Sequence, residues 1–171
     1  MALSLASLNA GTRADFVATL GGIFEHSPWV AEGAWDARPF PDVSDLHAKM
    51  VAVMQAAPFS RALGLLRAHP ELAGRAMVSN ALTAESAIEQ TRSGLTQCSP
   101  AEFARLQEFN AAYNRKFGWP FILAVRQLDR PAVIQTFAAR LDSNAAEEFA
   151  ACLANIATIT RLRLSDLLDQ P

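Results

Sequence analysis

The chain has 171 residues, 51% of them hydrophobic and 19% charged, with a formal net charge of −2 at pH 7. That length suits one domain with its own core and is short for two, and the balance is that of a globular protein rather than a disordered one. No basic excess is present to attract a phosphate backbone, and no apolar run approaches the roughly 18–20 residues that span a bilayer, so nucleic-acid and membrane proteins are not expected.

Taken in chain order, almost every periodic stretch reads as helix. A first piece covers Leu3 to Leu8. Thr12 then offers an N-cap with Asp15 three residues on, followed by apolar Phe16, Val17 and Leu20 before Gly21-Gly22 loosens the chain. Trp29, Val30 and Trp35 mark a short helix that gives way to a Pro-rich turn ending at Pro41. From Ser44 to Ala56, residues Leu46, Met50, Val53 and Met54 fall on one helical face. Ser60 to Ala68 is another short helix, stopped by Pro70, because the residue before proline avoids helical geometry.

In the second half, Thr83 caps a helix that reaches Ser93 and stops at Gly94. Ser99-Pro100-Ala101-Glu102 is a capping box with proline at the first helical position, and the helix it opens carries Phe103, Leu106, Phe109, Tyr113 and Phe117 up to a C-cap at Gly118. Asp129 or Arg130 leads into a helix through Ile134, Phe137 and Leu141. Asn144 with Glu147 opens the last and longest one, with Phe149, Cys152, Leu153, Ile156, Ile159 and Leu167 on its apolar side. The one strand-like run, Phe121-Ile122-Leu123-Ala124-Val125, has no partner strand and reads either as a buried extended segment or as the start of a helix. The expectation is a single all-α, multi-helix domain over residues 1–171.

Cys98 and Cys152 stand in no metal-type spacing; a disulfide stays open on sequence alone, with two buried thiols in a reducing compartment as the expectation. The first basic residue is Arg13 and the chain ends Asp169-Gln170-Pro171, so neither a secretory leader nor a peroxisomal address is read, and the expected location is cytoplasmic. There is no phosphate loop, CxxC, HxxxH or nucleophile elbow, and His26, His47 and His69 are scattered, so neither a metal nor a cofactor is expected.

Three places carry residue types suited to chemistry. In His69-Pro70-Glu71-Leu72-Ala73-Gly74-Arg75 the proline fixes a histidine in extended geometry at a helix end. An imidazole there can handle protons near neutral pH, and it can equally be a capping residue in a tight turn. On the helix after Thr83, Ser86, Glu89 and Gln90 share a face, offering a hydroxyl, a carboxylate and an amide to a small polar heterocycle, or to solvent. Third are the arginines Arg126, Arg161 and Arg163: the last two are two apart and cannot share a helical face, so one can turn inward as a carboxylate clamp while the other stays wet.

In order, the His69–Arg75 run, Leu82-Thr83 through Ser86-x-x-Glu89-Gln90 to Gly94-Leu95, Asn110-x-x-Tyr113-x-x-Lys116-Phe117-Gly118-Trp119-Pro120-Phe121, and Arg161-Leu162-Arg163-Leu164 form a pattern that resembles the 2-oxo-4-hydroxy-4-carboxy-5-ureidoimidazoline (OHCU) decarboxylases. The likeness extends from Leu3-Ser4-x-x-Ser7-Leu8-Asn9 to Leu168. This chain departs from the usual family pattern at Glu71, Trp119 and Ile122–Val125, where the family more often has Asp, Phe and a Val-Ile-Cys-Ala-like run. The resemblance implies a helical, usually homodimeric, cofactor-free enzyme. Such enzymes act after urate oxidase and hydroxyisourate hydrolase, with functional coupling to both, and release CO2 from OHCU to leave (S)-allantoin. It further implies His69, Glu89 and Arg163 as catalytic residues, with His69 on the proton and Arg163 on the carboxylate. Pro70, the stretch Ser86-Ala87-Ile88-Glu89-Gln90 and the backbone of Phe121, Ile122, Leu123, Ala124 and Val125 are implied to bind the substrate. The competing expectation is a non-catalytic helical module that binds a small ligand or partner, which the helices alone fit equally well.

Overall fold

A computed structural model describes residues 3–74 and 82–168. Among them every regular element is helical: α1 (Leu5–Ala10), α2 (Arg13–Leu20), α3 (Trp29–Ala34), α4 (Val43–Ala56), α5 (Phe59–Ala68), α6 (Ala84–Arg92), α7 (Pro100–Phe117), α8 (Arg130–Arg140) and α9 (Ala145–Leu167), with 3-10 turns at Trp35–Ala37 and Leu95–Gln97. The all-α reading holds. Their contacts gather into two compact units, residues 3–68 with 157–168 and residues 69–74 with 82–156, and α9 contributes to each.

The helix starts follow the side chains that satisfy the orphan amides of a first turn. Ser4 with Ser7, Thr12 with Asp15 and Ser99 with Glu102 are reciprocal capping boxes. Asp129 accepts from Ala132 N, so α8 begins at Arg130, and Asn144 accepts from Glu147 N ahead of α9. Three expected starts shift, one of them that of α5, which begins at Phe59 rather than Ser60. The first helix begins at Leu5 rather than Leu3 because Ser4 caps it, and α4 begins at Val43 because Asp42, not a later residue, accepts from Asp45 N at 2.7 Å.

In the first unit, Phe16 meets Trp35 edge-on and stacks on Phe40, with Leu20, Phe24, Leu46, Met50 and Met54 buried around them. Asn9 pins the chain at Phe40 by donating to its carbonyl and accepting from its amide, each at 2.9 Å. Helices α3 and α4 approach closely at Gly33, where a Cβ would lie 2.7 Å from Val53 Cγ1.

His47 on α4 lies 3.1 Å from Thr160 Oγ1 of α9. Burial pulls its pKa below 6.5; a backbone hydrogen bond to Ala157 opposes this and the charge of Arg161 adds to it. The folded state therefore takes up this proton at lower pH than the unfolded chain, so its contribution is present above 6.5 and is lost as pH falls through the lower folded value. His47→Asn is expected to reduce the loss of Tm between about pH 7 and about pH 5.5; an unchanged pH dependence would show that His47 carries none of it.

In the second unit, Tyr113 of α7 packs against Phe117, against Phe121 and against Phe137 of α8, and Phe121 and Phe137 stack with centroids 3.9 Å apart. Gly94 (φ 77°) and Gly118 (φ 79°) end α6 and α7 in the left-handed region, which a residue with a Cβ enters only under strain. The Phe121–Val125 run is neither helix nor strand. Both cysteines are reduced; Cys152 is buried as expected, whereas Cys98 is partly exposed.

Candidate active site

His69 follows α5 directly and is buried, at 8% exposure. The chain then makes a tight turn through Pro70, Glu71, Leu72 and Ala73, with Gly74 N returning to Glu71 O. Ala73 sits at φ 50°, a left-handed conformation that costs an L-residue roughly 1–2 kcal/mol. Such strain persists only where the surroundings over-determine it.

Four amide side chains do so. Gln90 of α6 accepts from Ala73 N at 2.9 Å and donates to Glu71 O at 3.3 Å. Three more stand on one face of α7: Gln107 donates to Ala73 O, Asn110 to Leu72 O at 2.9 Å, and Asn114 to Glu71 Oε1 at 2.6 Å. Every carbonyl from Glu71 to Ala73 is thus held by an amide N–H, which fixes the backbone that carries His69. Asn110→Ala would leave the buried Leu72 carbonyl without its donor and is expected to lower stability by about 1–3 kcal/mol, seen as a lower denaturant midpoint.

Sequence reasoning quoted Asn110 only as part of a motif and missed Gln107 and Asn114. The available signal was their spacing, i, i+3 and i+7, which places three amides in one row on an amphipathic helix. Arg75 lies outside the described residues.

On α6 the expected shared face is partly inward. Ser86 and Gln90 are buried, Glu89 and Ala87 are half-buried, and Ile88 is exposed at 49%. Gln90, expected to contact a ligand, spends its oxygen and one N–H on the turn after His69, leaving one N–H for anything else.

The Phe121–Val125 run is anchored on both sides of its centre. Arg140 Nη1 donates to Ile122 O at 2.7 Å, and Ala124 N donates to Asn155 Oδ1 at 3.0 Å. Phe121, Ile122 and Val125 are buried, while Leu123 and Ala124 are half-buried.

The arginines separate as their parity requires: Arg161 is exposed and Arg163 buried, while Arg126 is half-buried. Within the first unit, Arg163 Nη1 pairs with Glu25 Oε2 at 2.9 Å and donates to Ile23 O at 3.2 Å. Glu25 was not singled out from the sequence. It precedes His26, which holds φ 47°, and its own carbonyl accepts from Ser27 Oγ at 2.9 Å. Among the described residues no three His, Cys, Asp or Glu converge as metal ligands, and no helix is long and apolar enough to cross a membrane.

The fold is helical and carries a buried histidine ahead of a clasped turn, and α6, which supplies part of the clasp, bears the Ser86 hydroxyl and the Glu89 carboxylate. Comparison with known proteins identifies the family. The sequence model of OHCU decarboxylase matches residues 9–165. The 2-oxo-4-hydroxy-4-carboxy-5-ureidoimidazoline decarboxylase of Mus musculus is 39% identical over 166 residues, 97% of this chain and 93% of that protein. The uric acid degradation bifunctional protein PucL of Bacillus subtilis is 38% identical over 152 residues, 89% of this chain but 30% of that larger protein. Among solved structures, an (S)-allantoin synthase superposes with a TM-score of 0.80 at 29% identity, covering 98% of this chain and 54% of that one. The chain belongs to the OHCU decarboxylase family.

Proposed function

We propose that this protein decarboxylates 2-oxo-4-hydroxy-4-carboxy-5-ureidoimidazoline to (S)-allantoin and CO2, the closing step of urate-to-allantoin conversion. The observation that carries the reading is the buried His69 on a turn clamped by four amides, in a chain matched to the decarboxylase family over residues 9–165. The bond from the ring carbon to the carboxylate breaks, CO2 leaves, and the electron pair moves into the adjoining C=N system of the ring itself. The work of an electron sink is then done by the substrate. One proton returns to carbon on a single face.

In this reading His69 engages the substrate hydroxyl and steers that proton. Glu89 orients the same centre, and Ser86 with the remaining N–H of Gln90 bonds the ureido and ring amides. Pro70 packs on the ligand. Ala87 and Ile88 take part through their backbone, as do Phe121 to Val125. Arg163 takes the carboxylate, since a guanidinium fork matches two oxygens.

Residues 1–171 act as one catalytic domain, a reading supported by a single family match that runs across both compact units. The enzyme works as a cytoplasmic homodimer, coupled in function to urate oxidase and hydroxyisourate hydrolase; the bifunctional relative supports such coupling. The test is the rate at which substrate, generated in place from urate by those two enzymes, disappears. Purified protein must accelerate it, and a rate equal to the spontaneous one would reject the proposal.

A further inference from the structure

The non-helical run Phe121–Val125 is held by two side chains from later in the chain. Arg140, at the end of α8, donates to the Ile122 carbonyl, and Asn155, midway along α9, accepts the Ala124 amide. Between these anchors, the amide and carbonyl of Leu123 make no hydrogen bond among the described residues.

Both anchors are themselves immobilised. Arg140 directs Nε (2.9 Å) and Nη2 at Glu148 Oε1, and its guanidinium carbon lies 4.4 Å from the centre of the Phe121 ring. Glu148, 1% exposed, also accepts from the Tyr113 hydroxyl at 2.6 Å. Burial pushes the Tyr113 phenol and the Cys152 thiol beside it up, so both keep their protons and the tyrosine remains a donor. Asn155 is steadied by donating to Ala151 O at 2.9 Å. A buried Arg–Glu pair contributes little net stability over apolar residues of similar volume. What this pair does secure is the place of one peptide carbonyl.

We infer that Arg140 and Asn155 are positioning residues for the substrate. They occupy the peptide groups of Ile122 and Ala124 and leave the N–H and C=O of Leu123 as a fixed donor–acceptor pair. That pair is complementary to the C=O and N–H of a ureido or cyclic-amide group. The inference rests on the proposed decarboxylase reading for the identity of the ligand, but not for the anchoring of the segment.

Two variants test it. Asn155→Ala releases the Ala124 amide. The double variant Arg140→Gln/Glu148→Gln releases the Ile122 carbonyl without stranding a buried charge. Amide hydrogen exchange over residues 121–125 is expected to accelerate in both. Because the interaction is made with ground state and transition state alike, KM for OHCU should rise about tenfold or more while kcat changes less. A folded Asn155→Ala protein with wild-type exchange overturns the inference, as does faster exchange with unchanged KM, or a fall in kcat alone. Should the double variant not fold, Asn155→Ala decides by itself. Wild-type protein that fails to consume OHCU rejects the functional reading and the substrate role with it. Exchange in the variants then still reports whether the two side chains fix the segment.

Discussion

His69→Ala is expected to yield a folded protein that turns over its substrate ~10²–10⁴-fold more slowly, the range a general acid–base group supplies. Retained folding follows from where the turn is held. The clasp from Gln90, Gln107, Asn110 and Asn114 ends on the backbone of Glu71, Leu72 and Ala73 and on the Glu71 carboxylate, and none of those bonds uses the imidazole. Removing the ring therefore deletes a proton carrier without unlocking its mount. Circular dichroism and Tm check the fold, and single-turnover rates check the chemistry. Turnover within about threefold of wild type would take His69 out of the proton-transfer role.

Glu25→Gln is expected to have the largest effect on stability, about 3–5 kcal/mol, because it removes the carboxylate that pairs with the Arg163 charge at 4% exposure. For a chain of this size that is a fall in Tm on the order of 10 °C. Replacing both members, as in Glu25→Gln/Arg163→Met, should recover much of the stability, since a buried pair exchanged for neutral side chains is often tolerated. If Arg163 also receives the substrate carboxylate, the double variant regains Tm while remaining inactive. A double variant as unstable as the single one would contradict the pairing, and a stable, active one would remove Arg163 from the chemistry.

What could be read from the sequence was local. Thr12 with Asp15, Ser99-Pro100 with Glu102, and the glycines at 94 and 118 announce themselves within four residues of the structure they create. That Arg161 and Arg163 face different ways follows from their spacing of two on a helix; that Arg163 is the inward one was implied only by the family resemblance. What could not be read depends on partners far along the chain. Glu25 meets Arg163 across 138 positions, and no local pattern links an acidic residue in a glycine-rich loop to the final helix. The run Phe121–Val125 has an ambiguous apolar pattern because its conformation is imposed by Arg140 and Asn155, 18 and 31 residues away. Gln90 shows the same limit within the site. Its face was legible, but its engagement with Ala73 and Glu71 depends on a turn whose position only the fold supplies.

The handedness of the product tests the central claim most directly. Urate is supplied with urate oxidase and hydroxyisourate hydrolase, and the circular dichroism of the allantoin formed is followed with and without this protein. The spontaneous reaction gives both hands equally, whereas protonation on one face predicts a growing signal of (S)-allantoin that His69→Ala largely abolishes. Racemic allantoin at the same rate with and without the wild-type protein would contradict the account.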